Sequence, residues 1–284
     1  MPSALITGAS TGIGEATALR LAGAGWTVLA GVRSEQDGAR LVAKDSSGRI
    51  EPVTLDVTDF EQIRQAAARV SELGAGGEGS PGRLDALVNN AGIGFGGPLE
   101  LLHPDDLRKQ FDVNVLGQVA VTQALLPALR AAHGRIVFMS SVGGRVAMAF
   151  TAPYAASKHA IEALGDALRV ELASSNVQVA LVEPGSVATP IWDKARETGD
   201  QVVVPPQLQK EYGNVPAAMD KALDDTAKRG VPAEQVAQTI ERALSSRRMK
   251  SRYVVGRDAR AMILARGLLP DHVFDRVAKR VLGV

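Results

Sequence analysis

The sequence predicts an α/β protein built on a doubly wound parallel sheet with helices on both faces. Short runs rich in Val, Ile and Leu, each bounded by Gly, Asn or Ser, alternate with longer helical patterns. Runs that are apolar throughout, each followed by a helix, are typical of a parallel sheet covered on both faces. Ligands of such sheets bind at the carboxyl ends of the strands, so we expect the functional residues there.

The elements follow one another as this fold requires. The predicted strands are Ala4–Thr7, Thr27–Gly31, Val53–Leu55, Ala86–Val88, Arg135–Met139 and Gln178–Val182. The predicted long helices are Gly14–Ala24, Glu61–Leu73, Pro104–Ala132 and Tyr154–Ser174. After Val254 come two short helical patterns split at Pro270, which predict a C-terminal helical extension over residues 254–284. No repeat or second domain is visible, so we expect residues 1–284 to form one domain.

The segment 190–231 departs from this alternation. It contains several prolines, has mixed polarity and follows the last clear βα crossover. Segments in such positions often cover a site as mobile lids, so we expect this one to be the substrate lid.

Composition excludes several classes of function. A net charge of +1 gives no reason to expect a nucleic-acid partner. The chain has no cysteine, which excludes disulfides and thiolate chemistry and fits a cytoplasmic protein. Its 4 histidines show no paired spacing, so no metal site is expected. The N-terminus resembles no signal peptide, and no apolar run approaches the ~18 residues that span a bilayer.

The first strand leads into TGASTGIG, Thr7–Gly14, where a helix begins. Glycines let the backbone approach a pyrophosphate closely, and a helix N-terminus supplies N–H donors. The spacing is G-x-x-x-G-x-G, and a tight structural turn is the alternative interpretation. Its place between a strand and a helix favours a nucleotide site. The residues expected to hold the phosphates are Gly8, Ser10, Thr11, Gly12, Ile13 and Gly14.

The heptapeptide APYAASK places Tyr154 one helical turn before Lys158, on the same face. A free tyrosine has a pKa near ~10, and a nearby cation stabilises the phenolate. We therefore expect Lys158 to lower the pKa of Tyr154 and make it a general acid/base. An exposed Tyr/Lys pair without function is the alternative.

Together these segments resemble the short-chain dehydrogenase/reductase family. Asn89–Gly92, NNAG, is similar to its second signature, and Pro184–Gly185 with Thr189 to its nicotinamide-side turn. The likeness is strong from Leu5 to Thr189 and implies a Rossmann-type fold with a dinucleotide cofactor. Four residues match the family's catalytic tetrad in order and spacing: Asn114, Ser141, Tyr154 and Lys158.

The resemblance implies a role for each tetrad residue. Tyr154 is the acid/base, and Lys158 also bonds the nicotinamide ribose. Ser141 donates to the substrate oxygen; Ser140 competes, but the spacing to Tyr154 favours Ser141. Asn114 interrupts a helical pattern in which asparagine is unfavourable. The family role is to distort the helix and order a water for proton relay, and a buried core asparagine is the alternative.

The resemblance also locates the remaining cofactor contacts. Val32 stands where NAD-binding members carry Asp, and the guanidinium of Arg33 suits a 2′-phosphate, so we expect NADP(H) to be preferred. NAD(H) remains the alternative, because Glu35 could reach a ribose hydroxyl and Thr11 replaces a basic residue of some NADP-binding members. Asp56 and Val57 resemble the adenine-holding pair, although Asp56 could cap a helix, a role for which Asp59 competes. The other implied cofactor residues are Asn90, Ala91, Gly92, Pro184, Gly185, Val187 and Thr189.

The stretch from Val142 to Pro153 is expected to form the substrate wall. Its apolar members are Val142, Val146, Met148, Phe150 and Pro153. Such a wall suits a bulky apolar alcohol or ketone, and plain core packing is the alternative. The residues expected to contact substrate are Ser141, Val142, Met148 and Tyr154. This run and the long tail are most similar to the steroid- and retinol-type branch. A β-ketoacyl reductase and a non-catalytic dinucleotide sensor or scaffold are the alternatives.

The helices Pro104–Ala132 and Tyr154–Ser174 are apolar on more than one side, so we expect them to be buried on several sides. In the family the corresponding helices form a four-helix contact, which implies a homodimer or homotetramer. The C-terminal tail carries arginines among leucines. We prefer packing of this tail beside the substrate pocket over contact with a membrane surface.

Overall fold

The computed structural model describes residues 1–73, 82–189 and 203–282 and is centred on a seven-stranded parallel sheet. The strand order is β3-β2-β1-β4-β5-β6-β9. The strands are β1 (Ser3–Ile6), β2 (Thr27–Val32), β3 (Ile50–Thr54), β4 (Ala86–Asn89), β5 (Arg135–Met139), β6 (Gln178–Pro184) and β9 (Arg252–Val255). The short strands β7 (Val187–Ala188) and β8 (Val231–Pro232) pair in parallel beside it.

Helices cover both faces of this sheet. They are α1 (Gly12–Gly23), α2 (Glu35–Val42), α3 (Phe60–Glu72), α4 (Pro104–Phe111), α5 (Gln118–Ala132), α6 (Ala152–Glu171), α7 (Gln209–Tyr212), α8 (Val215–Arg229), α9 (Ala233–Ser245), α10 (Arg257–Leu268) and α11 (Asp271–Leu282). A π-helical segment, Asp112–Gly117, joins α4 to α5. The doubly wound fold predicted from the sequence is therefore confirmed, as is the helical C-terminal extension.

Alternate residues of the central strands enter two separate cores. In β1, Ala4 and Ile6 pack with residues of α1 and α9, whereas Leu5 packs with residues of α3 and α5. Burial on both faces explains why these strands are apolar throughout. Strands β1, β4, β5 and β6 are parallel neighbours, so their carboxyl ends lie side by side at one edge of the sheet.

Some elements were absent from the sequence prediction. Strand β9, RYVV, is only four residues long and begins with an arginine that is bound by acidic residues, so it forms no apolar run. Helix α2 has only eight residues and begins at a Ser34 cap. Helices α8 and α9 were also missed. The predicted helix Pro104–Ala132 is interrupted by the π segment at Asp112–Gly117.

One helical stretch in the described ranges, Pro104–Ala132, contains an 18-residue window with a mean hydropathy of 1.3, which by length and composition could cross a bilayer. In the fold its α5 part packs against β4 and α3 and buries Val121, Leu125 and Leu129. A core helix of a globular protein has this same composition, and its packing places this helix in the core.

The expected lid is only partly visible, because its residues 190–202 lie outside the described ranges. Residues 203–231 contain α7, α8 and β8. The Tyr212 hydroxyl of α7 lies 3.1 Å from Glu100 Oε2. A Cβ placed on Gly96 would lie 2.9 Å from the Met219 methyl of α8. These contacts hold the segment against the loop that follows β4.

Candidate active site

The turn between β1 and α1 has the backbone geometry of a phosphate cradle. Gly8 and Gly12 adopt positive φ angles of 64° and 59°, which favour glycine. A Cβ placed on Gly14 would overlap the Gly8 carbonyl oxygen and lie 2.6 Å from Asn90 Nδ2. The Thr11 side chain does not cap α1, so it does not compete with a ligand for the N–H groups of the first turn.

The NNAG segment after β4 is tied directly to this cradle. Asn90 Nδ2 donates to the carbonyl oxygens of Thr7, at 2.9 Å, and Gly8, at 3.0 Å. The Thr7 hydroxyl accepts the backbone N–H groups of Asn90 and Ala91, both at 2.9 Å. Thr7 was not predicted as a site residue, although it opens the TGASTGIG motif. It fixes the two glycine-containing loops relative to each other.

At the end of β2, Val32 is buried and Arg33 is exposed. The Arg33 guanidinium makes no ion pair with any residue in the described ranges. Ser34 caps α2 by accepting the Asp37 N–H at 3.2 Å. The Arg33 guanidinium is therefore available to a ligand at the end of β2, and position 32 carries a valine rather than a carboxylate.

After β3, Asp56 and Asp59 make different hydrogen bonds. Asp59 caps α3 by accepting the N–H groups of Glu61, at 2.9 Å, and Gln62, at 3.1 Å. Asp56 does not cap α3; its Oδ1 accepts the Thr58 N–H and hydroxyl. The adjacent Val57 is buried, and its carbonyl oxygen lies 2.6 Å from a Cβ placed on Gly117.

Asn114 lies at the centre of the π-helical segment and is fully buried. Its Oδ1 accepts the Ile93 N–H at 2.8 Å, and its Nδ2 donates to the Ile93 carbonyl at 2.9 Å. Nδ2 also lies 3.0 Å from Ser157 Oγ on α6. A Cβ placed on Gly92 would lie 3.4 Å from Asn114 Oδ1 and 3.7 Å from Lys158 Nζ. The widened helix thus brings Asn114 beside Lys158 and the loop after β4.

Tyr154, Lys158 and Ser141 converge at the end of β5. The Lys158 Nζ donates to the Met139 carbonyl at 2.8 Å and lies 5.7 Å from the centroid of the Tyr154 ring. A Cβ placed on Gly143 would lie 3.3 Å from the Tyr154 ring edge and 3.5 Å from Ser141 Oγ. These three predicted residues therefore share one small region of the cleft.

The two neighbouring serines have different surroundings. Ser141 Oγ accepts the Gly143 N–H at 3.1 Å and lies on the Tyr154 side. Ser140 Oγ is directed elsewhere: a Cβ placed on Gly144 would lie 2.6 Å from it and 3.0 Å from Glu162 Cγ. This orientation favours Ser141 over Ser140 as the residue that faces a substrate.

The pKa of Tyr154 shifts in the direction opposite to our expectation. Burial raises this pKa, and the nearby Ser141 hydroxyl only partly opposes the shift. Burial also lowers the pKa of Lys158 to about 8, and the charge of Glu162 acts against that change. The effect of burial on the two pKa values outweighs the stabilisation of the phenolate that we expected from Lys158. The protein alone therefore does not lower the pKa of Tyr154.

The turn Pro184–Gly185, expected to lie on the nicotinamide side, joins the ends of β5, β6 and β9. Ser141 Oγ lies 3.5 Å from the Pro184 carbonyl oxygen, and the Gly185 N–H donates to Val255 O at 2.9 Å. Val187 is buried in β7, while Thr189 is partly exposed at the end of the described range. The turn therefore closes the cleft beside Ser141.

The expected substrate wall divides into exposed and buried parts. Val142 and Met148 are partly exposed, whereas Val146 and Pro153 are buried. Phe150 has a positive φ of 64°, and its carbonyl accepts the Gly97 N–H at 2.7 Å. Val146 and Pro153 pack into the protein, as the alternative of core packing has it, so Val142 and Met148 are the accessible members of the expected wall.

The residues present fit a dinucleotide. The cradle around Gly8 and Gly14 leaves no room for a Cβ, as close approach of a pyrophosphate requires. The exposed guanidinium of Arg33 lies at the end of β2, the strand next to β1 in the sheet. Lys158 and the Pro184–Gly185 turn occupy the opposite end of the cleft.

Comparison with known proteins supports this geometry. The family described as short chain dehydrogenase matches residues 2–200. The chain is 35% identical to an NADPH-dependent 3-dehydrocapnine reductase from Ornithobacterium rhinotracheale, covering 98% of this chain and 96% of that protein. It is 36% identical to mouse retinol dehydrogenase 5, covering 98% and 87%. The crystal structure of a Burkholderia phymatum short-chain dehydrogenase/reductase in complex with NAD superposes with a TM-score of 0.78. That structure is 28% identical, and the match covers 94% of this chain and 92% of that one.

The site geometry, the matched family and the full-length relatives agree with the resemblance seen in the sequence. The chain belongs to the short-chain dehydrogenase/reductase family and is an oxidoreductase of that family.

Proposed function

We propose that the chain interconverts a secondary alcohol and a ketone, with Tyr154 as the general acid/base and NADP(H) as the preferred cofactor. The observation that carries this proposal is the convergence of Tyr154, Lys158 and Ser141 at the end of β5. Asn114 completes the set through the π-helical segment.

In the reductive direction, each residue has a definite task. The Tyr154 hydroxyl donates its proton to the substrate oxygen as that oxygen gains charge. Ser141 donates a hydrogen bond to the same oxygen. The Lys158 ammonium stabilises the phenolate that remains, and Asn114 and Lys158 connect the site to the relay that returns a proton. Bound nicotinamide supplies the hydride in this direction and accepts it in the other.

The raised pKa of Tyr154 keeps the phenol in the protonated state from which ketone reduction starts, and it also makes the phenol a weaker acid. Burial raises the pKa of Tyr154, so the phenol holds its proton at neutral pH. A positive charge on the oxidised cofactor would lower that pKa when the alcohol is the substrate.

The preference for NADP(H) rests on the end of β2. Val32 offers no carboxylate to ribose hydroxyls, and the exposed Arg33 guanidinium suits a 2′-phosphate. The NADPH-dependent relative from Ornithobacterium rhinotracheale supports this assignment. NAD(H) is the secondary cofactor, as the NAD complex of the Burkholderia phymatum protein suggests.

The substrate is a bulky, largely apolar carbonyl or alcohol of the steroid or retinoid type. Val142 and Met148 offer an apolar wall next to Tyr154, and α10 packs beside the turn Val142–Gly144. Similarity to mouse retinol dehydrogenase 5 supports this substrate class. We also propose that the segment 190–231 acts as the lid, since Met219 and Tyr212 contact the loop after β4.

Turnover separates this proposal from its alternatives. NADPH absorbance is followed while the protein is mixed with apolar cyclic ketones of steroid and retinoid type and with a β-ketoacyl thioester. Preferential oxidation of NADPH with apolar carbonyls is expected. Preference for the thioester would indicate a β-ketoacyl reductase, and binding of NADPH without turnover would indicate a sensor or scaffold.

A tyrosine variant tests the role of the phenol. Tyr154→Phe is expected to lose about 10²–10⁴-fold in kcat, the usual contribution of general acid/base catalysis, while NADPH binding persists. Tyr253→Phe is the matched control, since that side chain packs on the opposite face of the sheet. Undiminished turnover by Tyr154→Phe would refute the assignment.

A further inference from the structure

A pair of buried carboxyl groups lies behind the Tyr154–Lys158 face of α6. Glu162 follows Lys158 by one helical turn, and Glu183 lies near the carboxyl end of β6. Glu183 is 0% exposed and Glu162 is 6% exposed. Carboxylates are almost never buried this deeply unless their charge is compensated. Neither group has a role in the reaction proposed above.

A single guanidinium binds both members of the pair. Arg252 Nε, on β9, lies 2.9 Å from Glu162 Oε2 and 3.1 Å from Glu183 Oε1. One N–H between two carboxylates cannot donate a full hydrogen bond to each. Arg145 reaches Glu183 Oε1 at only 3.4 Å, and its side chain is 39% exposed. Arg252 and Arg145 therefore do not fully compensate the negative charges of two ionised glutamates.

The remaining cationic and acidic neighbours do not change this balance. Arg252 Nη2 also binds Asp166 Oδ2 at 2.6 Å, and Asp166 is bound in addition by Arg169. Hydrogen bonds from both arginines lower the pKa of Asp166, so this half-buried partner stays ionised and draws on the charge of Arg252. The charge of Glu162 also acts on Lys158, one helical turn earlier on α6.

Three buried polar atoms at this place have no hydrogen-bond partner among the described residues: Glu162 Oε1, Glu183 Oε2 and Ser140 Oγ. The Ser140 N–H donates to Val182 O at 2.9 Å, which puts Ser140 beside Glu183. A Cβ placed on Gly144 would lie 2.6 Å from Ser140 Oγ and 3.0 Å from Glu162 Cγ. The unpartnered atoms thus occupy one region rather than being scattered through the core.

We propose that Glu162 and Glu183 share one proton at neutral pH and that this pair sets the charge state of Lys158. The shared proton satisfies a buried oxygen and removes one of two adjacent like charges. Both glutamates are then positioning residues, since they act through Lys158 and touch neither substrate nor cofactor. The second half of this proposal rests on the proposed role of Lys158, and the first half does not.

The directions of the pKa shifts agree with this arrangement. Burial and the charge of Glu162 raise the pKa of Glu183. The charge of Glu162 raises the pKa of Lys158, against the larger effect of burial. A proton that moves from Glu183 to Glu162 would therefore make Lys158 less basic.

Infrared spectroscopy tests the shared proton without any turnover. At pH 7 the wild-type protein should show a carboxylic-acid C=O band that shifts in deuterium oxide. This band should be lost in both Glu162→Gln and Glu183→Gln. It should persist in Glu171→Gln, which removes an exposed carboxylate from the same helix. Absence of the band in the wild type, or its survival in both pair variants, would overturn the proposal.

The pH profile of ketone reduction tests the effect on Lys158. Glu162→Gln removes the negative charge that acts on Lys158. The alkaline limb of the pH profile of kcat should therefore shift to lower pH by roughly 0.5–1 unit. Glu183→Gln leaves Glu162 with full charge, so the limb should move up. A merely structural role would lower activity in both variants without moving the limb in opposite directions, and that result would overturn the link to Lys158.

The two measurements separate failure of this inference from failure of the proposed function. If no variant reduces any ketone, the proposed function fails while the infrared result still decides the shared proton. If Glu162→Gln does not fold, Glu183→Gln and Arg252→Lys carry both measurements. Arg252→Lys keeps the positive charge but loses the planar fork that spans the two carboxyl groups.

Discussion

The Lys158 Nζ lies 5.7 Å from the centroid of the Tyr154 ring and donates its hydrogen bond to the Met139 carbonyl rather than to the phenol. The lysine is therefore held by the end of β5, and its charge acts on Tyr154 through space. Because Lys158 is buried, its charge is less stable than that of an exposed lysine, and the pH dependence of the enzyme should reflect this.

Ketone reduction should have an alkaline limb that follows Lys158. Burial lowers the pKa of this lysine to about 8, so its cation is lost as the pH rises through that value. Tyr154, whose pKa is raised, stays protonated over the same range. Lys158→Arg keeps the charge and should move the limb to higher pH, at reduced kcat. The check is kcat from pH 6 to about pH 10; an unmoved limb would assign it to another group.

Removing the buried charge should stabilise the free protein. The folded state holds Lys158 at a pKa of about 8 against 10.5 for the ordinary side chain, so it binds fewer protons than the unfolded chain between these values. The resulting penalty is fully present below pH 8 and is relieved as the pH rises towards 10.5. Lys158→Met should therefore be more stable at pH 7 by about 1–2 kcal/mol, after loss of the bond to Met139. Calorimetry at pH 7 and at about pH 9.5 should show this gain shrinking; a gain that grows with pH would contradict it.

Arg33 should control the choice of cofactor. Arg33→Ala removes a charge-assisted contact to the 2′-phosphate, which is worth roughly 1.5–3 kcal/mol. The KM for NADPH should rise about 10- to 100-fold at little change in kcat, and the KM for NADH should not change. Arg64→Ala, an exposed arginine on α3, is the control. A wild-type preference for NADH would refute the assignment.

The cradle should not tolerate a methyl group at Gly14. Its Cβ would overlap the Gly8 carbonyl and press on Asn90 Nδ2, so the loop must deform. We expect Gly14→Ala to weaken NADPH binding at least about tenfold, measured by fluorescence titration. Gly23→Ala is the matched control, because nothing lies within 4 Å of its added Cβ. Equal binding by the two variants would mean that the turn adapts without cost.

The protein should form at least a dimer through α5 and α6. Leu164 and Val170 on α6 are 36% and 70% exposed, and Leu116 in the π segment is 60% exposed. The double variant Leu164→Glu/Val170→Glu should lower the mass measured by light scattering to that of a monomer. Leu268→Glu, on the 73% exposed Leu268 of α10, should leave the mass unchanged. A monomeric wild type would refute the prediction.

Much of the fold and the candidate site could be predicted from local patterns. Apolar runs marked the buried strands, since parallel strands covered on both faces leave little room for polar residues. The glycines of Thr7–Gly14 indicated a cradle because positive φ angles are a local property of the chain. The i, i+4 spacing of Tyr154 and Lys158 placed both on one face of α6, because helix geometry alone determines that relation.

The tertiary structure decided the properties that depend on distant segments. Arg252 reaches Glu162 across 90 residues of sequence, and it lies in a strand too short and too polar to be found as an apolar run. The orientations of Ser140 and Ser141 depend on how the turn after β5 packs against α6. The predicted neighbours Tyr154 and Lys158 do lie close together in the fold, but the pKa of Tyr154 shifts upward rather than downward. Desolvation depends on how much protein surrounds a group, and only the packed fold determines that.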